Sequence, residues 1–342
     1  TVIVRMDIVG SLERHPVKDM DAAALSVGYR LVNSNDNYRL YHYDIDGNWG
    51  TVTEYPAIGI GSATDQLSRQ FPAVEETQSD NLNDYTFEDL CNYKLIYLAG
   101  FTYDDKAAAE ELILKLSESG VRIIIAADGI PDDRGSQNQS FLGVVCNGVV
   151  FSQGYPDLDT VDGVLETDLF PDGYREWSTV YVDGLDEVWG TVDNVDWELP
   201  FYGTVKNDNI IVIGLNLTYY YGLTEDESVG QLLSRTLNIS SSDLPKREIV
   251  PYHVEYMEDR IVLSSERADL NTGIAYHDSF KASGEIYQRN HLLHVGEGAT
   301  VIFLTYPYLK WGMALSALAA ALILWHTLYR KRRAEKAAKQ TE

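Results

Sequence analysis

Cationic side chains are scarce in this sequence. The 342 residues include 27 Lys and Arg against 52 Asp and Glu, which gives a formal net charge of -25. Proteins that bind nucleic acid need clustered cations to neutralise phosphates, so this composition argues against a nucleic acid partner. A strongly charged surface keeps protein molecules apart in solution, which is the interpretation we favour. Binding of divalent cations or cationic ligands is the alternative that the charge leaves open.

Cysteines and metal-binding patterns are also scarce. Cys91 and Cys146 are too few for a disulfide framework, and the sequence leaves open whether they form one bridge or stay as free thiols. His291 and His294 have a spacing that points two side chains to opposite faces of a strand. No metal pair is therefore expected there. We find no cofactor motif and predict no cofactor.

Long apolar runs are absent except for one near the carboxyl end, from Trp311 to Trp325, which carries no charge. A bilayer core needs about 20 helical residues, so the run predicts a transmembrane helix over residues 308–328. The tryptophans suit the aromatic belts at the two membrane surfaces. The positive-inside rule then places the tail, residues 329–342, in the cytoplasm because it begins with a basic run, Arg330, Lys331, Arg332 and Arg333. A buried core helix is the alternative.

This orientation puts the globular part of the chain outside the cytoplasm, at the cell membrane. Thr1 to Gly10 lacks the charged start and the long apolar run of a signal peptide. We therefore expect either that a signal has been removed or that the chain is part of a longer protein. Further transmembrane spans before Thr1 are an open alternative.

The rest of the sequence predicts an α/β domain between two β-rich segments. Residues 1–86 and 243–307 carry short alternating β patterns separated by turns. In the middle, YKLIYLAG and VRIIIAAD are buried-type strands on either side of a helical pattern, which makes a βαβ unit. We assign the α/β domain to residues 87–242. One arrangement pairs the two β-rich segments, and the α/β domain would then be an insertion.

The stretch from about Tyr93 to Leu237 resembles the flavodoxin-like fold of class I glutamine amidotransferase-like domains. In that family the strand matching VRIIIAAD leads into a nucleophile elbow with a catalytic cysteine, and Ala127 stands at that position here. A later strand carries the histidine and glutamate, and Thr218 and Tyr220 stand at those positions. Catalysis needs a nucleophile activated by a neighbouring base. The resemblance therefore implies a degenerate domain without glutaminase activity.

In the order of its segments, including Thr272 to Tyr276, the chain also resembles the C-terminal part of bacterial polytopic membrane proteins. These are the proteins labelled 6-pyruvoyl-tetrahydropterin-synthase-related and associated with exopolysaccharide production. The resemblance implies a role in assembling cell-surface glycan. The zinc histidines of a pterin synthase are not visible in this sequence, so no pterin chemistry is implied.

Candidate ligand-binding residues follow the predicted strands. Parallel α/β sheets bind ligands beyond the carboxyl ends of their strands. Asp128, Asp132, Asp133 and Arg134 follow one strand, and Tyr219 follows another. Carboxylates and tyrosines there suit sugar hydroxyls and sugar rings, respectively. The alternative is a solvated loop with a local Asp–Arg pair and ordinary strand tyrosines.

The leading hypothesis is a non-catalytic extracytoplasmic module that binds polysaccharide or other subunits of a glycan-assembly complex. The main rival is the ectodomain of a membrane glycosyltransferase that uses a lipid-linked sugar, with the catalytic part in a membrane portion outside this sequence. A tethered scaffold without any ligand is the third reading.

Overall fold

The chain folds into two units, each with its own core: one is Thr53–Glu248, and the other combines Thr1–Val52 with Ile249–Glu342. The computed structural model describes the backbone over the ranges 2–5, 17–26, 28–35, 38–43, 47–77, 79–133, 139–171, 173–195, 197–289, 291–304 and 309–338.

The helices and strands are labelled here in chain order. The helices are α1 (Val17–Ser26), α2 (Asp65–Ser68), α3 (Phe87–Leu90), α4 (Lys106–Glu118), α5 (Leu217–Thr224), α6 (Glu227–Leu237) and α7 (Leu309–Ala338). The strands are β1 (Val2–Arg5), β2 (Arg30–Ser34), β3 (Tyr38–His42), β4 (Asn48–Glu54), β5 (Ala57–Ile60), β6 (Val74–Glu76), β7 (Leu95–Leu98), β8 (Arg122–Ala126), β9 (Gln139–Phe141), β10 (Val144–Ser152), β11 (Leu158–Thr160), β12 (Gly163–Leu165), β13 (Glu176–Asp183), β14 (Glu187–Asn194), β15 (Trp197–Val205), β16 (Asn207–Ile213), β17 (Lys246–Tyr256), β18 (Arg260–Ser265), β19 (Leu270–Ala275), β20 (Phe280–Ala282), β21 (Ile286–Arg289), β22 (Leu292–Val295) and β23 (Gly298–Leu304).

The unit Thr53–Glu248 contains a nine-stranded sheet in the order β12-β11-β14-β15-β16-β8-β7-β5-β6. The strands from β16 to β6 run parallel, and those from β12 to β15 extend the sheet with antiparallel pairs. β8 shows why the parallel part forms: Ile123, Ile124 and Ile125 are all buried, so this strand is covered on both faces. A second sheet, β13-β10-β9, belongs to the same unit.

The predicted βαβ unit is confirmed. β7 and β8 pair in parallel with Leu95 opposite Arg122, and α4 connects them. Asp105 begins this helix, since its side chain accepts a hydrogen bond from the backbone nitrogen of Ala108 at 3.2 Å. The prediction of a mixed α/β chain is therefore correct at this level.

Apolar residues pack on both faces of the nine-stranded sheet. One core cluster includes Tyr97, Ile211 and Leu233 from α6, and the other includes Ile96, Ile113 from α4 and Val212. Neighbouring residues of one strand thus enter different clusters, as the alternation of side chains along a strand requires. The parallel strands form the middle layer between helices.

The division of the chain differs from the boundary expected at residues 86 and 87. β5 lies between β7 and β6 in the nine-stranded sheet, and all four of its residues are buried. The α/β unit therefore begins at Thr53, because the sheet would lose an inner strand without β5. The amino-terminal segment also contains helix α1, which its β patterns did not predict.

The other unit joins chain segments from both ends. Its eight-stranded sheet has the order β20-β23-β18-β17-β4-β19-β22-β21, so β4 from the amino-terminal segment lies between carboxyl-terminal strands. Leu263, Leu270 and Leu293 are fully buried in its core. A separate three-stranded sheet, β1-β3-β2, completes the described strands of this unit.

Helix α7 carries the apolar segment near the carboxyl end. Its stretch Trp311–Arg330, 20 residues long, is long and apolar enough to cross a membrane, and none of it is buried against the described residues. Trp311 and Trp325 are 73% and 65% exposed. The prediction of one apolar helix here is confirmed. The helix continues past residue 328 through the basic run. The structure does not describe the side chains of Lys331, Arg332 and Arg333.

Candidate functional site

The turns that follow β5, β7 and β8 pack tightly against one another. A Cβ atom on Gly129 would lie 2.1 Å from the backbone nitrogen of Gly100. A Cβ atom on Gly61 would lie 2.2 Å from the carbonyl oxygen of Ala99. Real atoms do not approach this closely, so glycine is required where these backbones meet. The turns after Gly100 and Asp128 are thus brought together as expected, but backbone fills the space between them.

Asp128 is partly buried beside these turns. Its carboxylate accepts hydrogen bonds from the Thr179 hydroxyl and from the backbone nitrogen of Asn216, both at 2.7 Å. Burial raises the pKa of Asp128 above its usual range, and the hydrogen bonds oppose that rise. The side chain therefore connects the turn after β8 to β13 and to the residue preceding α5. It is engaged within the fold, while the predicted role was to face a ligand.

The other predicted carboxylates lie in different surroundings. Asp133 accepts hydrogen bonds from the Lys106 ammonium at 2.7 Å and the Ser140 hydroxyl at 2.6 Å, and these contacts lower its pKa. Asp132 is exposed. Arg134, the expected partner in a local Asp–Arg pair, lies outside the described residues. The predicted cluster therefore separates into two partly buried carboxylates with different partners, Asp128 and Asp133, and one exposed carboxylate, Asp132.

Two of the three positions that the sequence resemblance aligned with a catalytic triad, Thr218 and Tyr220, take part in hydrogen bonds within the fold. Ala127 is buried. The hydroxyls of Thr218 and Tyr97 are 2.7 Å apart, and burial raises the pKa of Tyr97 to about 12. Tyr220 donates a hydrogen bond to the carbonyl oxygen of Asp168 at 2.7 Å. A neutral phenol and a threonine supply neither a thiolate nor a base for covalent catalysis.

The turn from β16 into α5 has an unusual backbone. Leu215 and Asn216 both have positive φ, 62° and 47°. A leucine in this region is uncommon and costs of order 1 kcal/mol or more. The Tyr155 hydroxyl binds the Leu215 carbonyl, and the Leu215 nitrogen donates to the carbonyl of Val180 at 2.9 Å. These contacts hold the turn, so α5 begins in a fixed place at the carboxyl edge.

Two tyrosines form an aromatic surface next to this turn, which we call the tyrosine platform: Tyr174 and Tyr219. Their hydroxyls are 2.9 Å apart, and Tyr174 is 39% exposed. The ring of Tyr219 stacks on buried Trp177, with centroids 5.7 Å apart and an angle of 30° between the planes. Trp177 in turn stacks on Phe170 at 4.9 Å. The partly exposed pair therefore rests on a rigid aromatic base.

Sequence reasoning missed Tyr174 as a partner of Tyr219, and it missed a second aromatic surface. A groove of about 510 Å³ is lined by Tyr181, Asn194 and Trp197, together with apolar strand residues. Trp197 is 75% exposed. The sequence signal for this surface was Trp197, which begins the alternating strand β15 on its outward side.

The sequence left open whether the two cysteines form a disulfide bond. Cys91 and Cys146 are free thiols. The Cys146 thiol lies 3.5 Å from the carbonyl oxygen of Ala127, and burial raises its pKa to about 12. Among the residues described, no group of three His, Cys, Asp or Glu side chains is placed to hold a metal ion.

His294 belongs to a buried cluster in the other unit. Its Nδ1 lies 2.7 Å from Oδ1 of Asp269, and the guanidinium of Arg289 is 2.7 Å from Oδ2. Burial acts to raise the pKa of Asp269, but the hydrogen bonds from His294 and Tyr287 outweigh it and hold that pKa below its usual range. His291 lies in a turn with φ of 61°, beside Gln288. The two histidines therefore have separate partners.

Comparisons with known proteins match part of the chain to a family. Residues 56–220 match the model of a domain of unknown function, DUF8560. This match includes the parallel strands, Asp128 and the tyrosine platform. No curated protein matches the chain.

Several solved structures show a distant likeness. The alpha-L-fucosidase isoenzyme 2 from Paenibacillus thiaminolyticus is 9% identical with a TM-score of 0.39, over 75% of this chain and 49% of that one. A structure described as the mmIFT52 N-terminal domain is 14% identical with a TM-score of 0.40, over 55% and 99% of the two chains. A polyextremophilic beta-galactosidase from the Antarctic haloarchaeon Halorubrum lacusprofundi is 10% identical with a TM-score of 0.31, over 70% and 34%. This chain spans about half the length of the fucosidase, and likeness at this level assigns no activity.

Proposed function

We propose that this chain is a membrane-anchored, non-catalytic module outside the cytoplasm that binds glycan through the tyrosine platform. The platform is the observation that carries the proposal. Sugars present apolar C–H faces and a rim of hydroxyls, so they suit aromatic rings with polar edges. Tyr174 and Tyr219 offer both ring surface and hydroxyl groups at the end of the parallel sheet, where α/β proteins commonly bind ligands.

The rigid base under the platform supports a binding role. Tyr219 is the third residue of α5, whose start is held by Asp128 through the Asn216 nitrogen. Its ring cannot move inward because Trp177 and Phe170 are stacked beneath it. A site that is already formed before binding loses less conformational freedom when the ligand arrives.

The non-catalytic part of the proposal is supported by the triad positions. Ala127, Thr218 and Tyr220 replace the cysteine, histidine and glutamate of the amidotransferase-like family that the sequence resembles. Thr218 and Tyr220 use their hydroxyls within the fold. From that resemblance we further propose that this is a degenerate flavodoxin-like domain. It would serve exopolysaccharide assembly as part of a larger membrane protein.

Membrane anchoring and its direction are supported by α7. The apolar stretch Trp311–Arg330 requires a hydrocarbon environment or a partner to cover it. The basic run that starts at Arg330 favours a cytoplasmic tail. Protease added to intact cells should therefore remove the globular part and leave a tag placed after Glu342 protected. Protection of the globular part would overturn the proposed location.

Glycan binding is tested with the full chain in detergent, screened on a glycan array and then titrated with the oligosaccharide that binds best. We expect Tyr219→Ala to weaken binding about tenfold or more, equivalent to about 1.4 kcal/mol. Trp197→Ala is the matched control, since it removes an exposed aromatic ring from a different surface of the same unit. Its affinity should equal that of the wild type. No binding to any glycan, or a loss with Trp197→Ala alone, would contradict the proposal.

A further inference from the structure

The hairpin formed by β17 and β18 has two acidic residues, Glu258 and Asp259, at the apex of its turn and large apolar side chains directly beside it. The two strands are antiparallel, with Tyr256 opposite Ile261, and the nitrogen of Met257 donates a hydrogen bond to the carbonyl of Arg260 at 2.9 Å. Tyr256 is 66% exposed and Met257 is 46% exposed. These large apolar side chains are exposed at the end of β17, immediately before the polar turn residues.

The neighbouring strand adds Phe303 on the face of the sheet that Met257 and Arg260 share. Tyr256, which is opposite Ile261, lies on the other face of the same sheet end. β18 pairs with β23 so that Arg260 is opposite Phe303, and Phe303 is 36% exposed. The guanidinium of Arg260 lies over the Phe303 ring, 5.3 Å from its centroid. The tip therefore lies beside the carboxyl end of β23. We call Tyr256, Met257, Arg260 and Phe303 the hairpin-tip patch.

Chain length ties this patch to the apolar helix. β23 ends at Leu304 and α7 begins at Leu309, so five Cα–Cα steps separate the sheet from the helix. A fully extended chain covers at most about 3.6 Å per residue, so the helix starts within roughly 18 Å of the end of β23. When α7 crosses a bilayer, the end of β23 and the hairpin-tip patch beside it are therefore held near the point where the chain enters the membrane.

We propose that the hairpin-tip patch docks on the headgroup region of the bilayer and forms a second membrane contact beside α7. This inference rests on the membrane anchoring proposed above. Tyrosine is enriched at the membrane surface because its ring is apolar and its hydroxyl is polar. Met257 and Phe303 supply apolar area, and the long side chain of Arg260 can lie along the surface with its charge in the headgroup layer.

The charges around the patch fit this location. Asp259 is bound by Arg260 through two hydrogen bonds, of 2.8 and 2.7 Å, so its carboxylate enters the interface as half of an ion pair. Glu258 is exposed at the apex of the turn and adds one negative charge there. Asp278 precedes β20, and Lys281 lies within that strand, opposite Phe303. The strand beside the same end of β23 therefore contributes one charge of each sign. The contact therefore depends on aromatic and apolar chemistry more than on the charge of the lipid.

The test uses the full chain reconstituted in phosphatidylcholine vesicles, with Cys91→Ser and Cys146→Ser as background. An environment-sensitive fluorophore is attached at Met257→Cys or, as the control, at Glu297→Cys. Glu297 is exposed and precedes β23, so it lies at the opposite end of the same strand, roughly 20 Å from Leu304. Lipids that carry a spin label near the headgroup should quench the probe at position 257 at least twofold and leave the probe at position 297 unchanged.

A second measurement avoids all substitutions. Photoactivatable phosphatidylcholine that reacts near its headgroup should label peptides containing Tyr256 and Met257 of the unmodified chain, but not peptides around Glu297. If the protein floats with the vesicles yet positions 257 and 297 behave alike in both measurements, the hairpin-tip proposal is overturned while the anchor stands. If the protein does not float with the vesicles, the proposed anchoring itself fails.

Discussion

The partly buried carboxylate of Asp128 offers a direct test of how the carboxyl edge is organised. It accepts hydrogen bonds from Thr179 and from the backbone of Asn216, both at 2.7 Å. A hydrogen bond to a charged group contributes about 1.5–3 kcal/mol, and its removal leaves a buried donor unsatisfied. Asp128→Ala should therefore lower the free energy of unfolding by about 3–5 kcal/mol. Asp128→Asn should lower it by only about 1 kcal/mol, because the amide can accept from Asn216 and donate to the Thr179 hydroxyl.

The effect of pH follows from the raised pKa of Asp128. A carboxyl whose pKa is higher in the folded state than its usual 3.8 holds its proton more tightly in the folded state. The tighter binding of this proton contributes fully to the free energy of unfolding below pH 3.8, and the contribution is lost as pH rises through the folded-state pKa. Raising the pH from about 4 to about 7 should therefore lower the free energy of unfolding of the wild type relative to that of Asp128→Asn.

Hydrogen exchange measured by mass spectrometry is the suitable assay, because it reports on each unit separately. Peptides that cover residues 214–218 should exchange faster in Asp128→Ala. Asp132→Ala is the control, since Asp132 is exposed and should change stability by no more than about 0.5 kcal/mol. A loss below about 1 kcal/mol for Asp128→Ala, with unchanged exchange near Asn216, would refute the structural role given to this carboxylate.

Three further outcomes are expected. Gly129→Ala places a methyl group 2.1 Å from a backbone nitrogen and should cost at least about 3 kcal/mol in urea unfolding, whereas Gly148→Ala, with nothing within 4 Å, should stay within about 1 kcal/mol; equal effects would contradict the packing. Cys146, with its raised pKa, should react with Ellman's reagent at pH 8 only after unfolding, so Cys146→Ser should leave the thiol count of the native protein unchanged. Asparagine tolerates the backbone φ of 56° at position 269, but Asp269→Asn weakens the contact with His294. This substitution should lower the free energy of unfolding by roughly 2 kcal/mol at pH 7. Because the pKa of Asp269 is lowered, that difference should vanish as pH falls below the folded-state pKa; a gap that persists in acid would exclude this cause.

The parallel strands were predictable from sequence because their signal is local. The run Leu95–Leu98 and the isoleucines of Arg122–Ala126 are continuous apolar segments of the kind that a doubly covered sheet requires. β5 was missed because Ala57–Ile60 is short, contains a glycine and follows Pro56, which together read as a turn. Its position inside the sheet is decided by neighbours that are distant in sequence.

The site was harder to predict, because its contacts join distant parts of the chain. Asp128 meets Thr179 and Asn216, which are 51 and 88 residues away. An Asp after a strand looks the same in sequence whether it faces a ligand or is buried in this way. Tyr219 was predicted because it follows a strand, but Tyr174, 45 residues earlier, became visible only through their shared hydrogen bond.

The strand order of the eight-stranded sheet has a consequence for how this protein can change over generations. The chain leaves that sheet after β4 and returns to it at β17, and these two strands are neighbours there. A segment whose entry and exit are adjacent can be exchanged for another without breaking the host architecture. The unit Thr53–Glu248 can thus be replaced during evolution without breaking the sheet of the other unit, and chains should exist in which this unit has been exchanged, enlarged or reduced to a short loop.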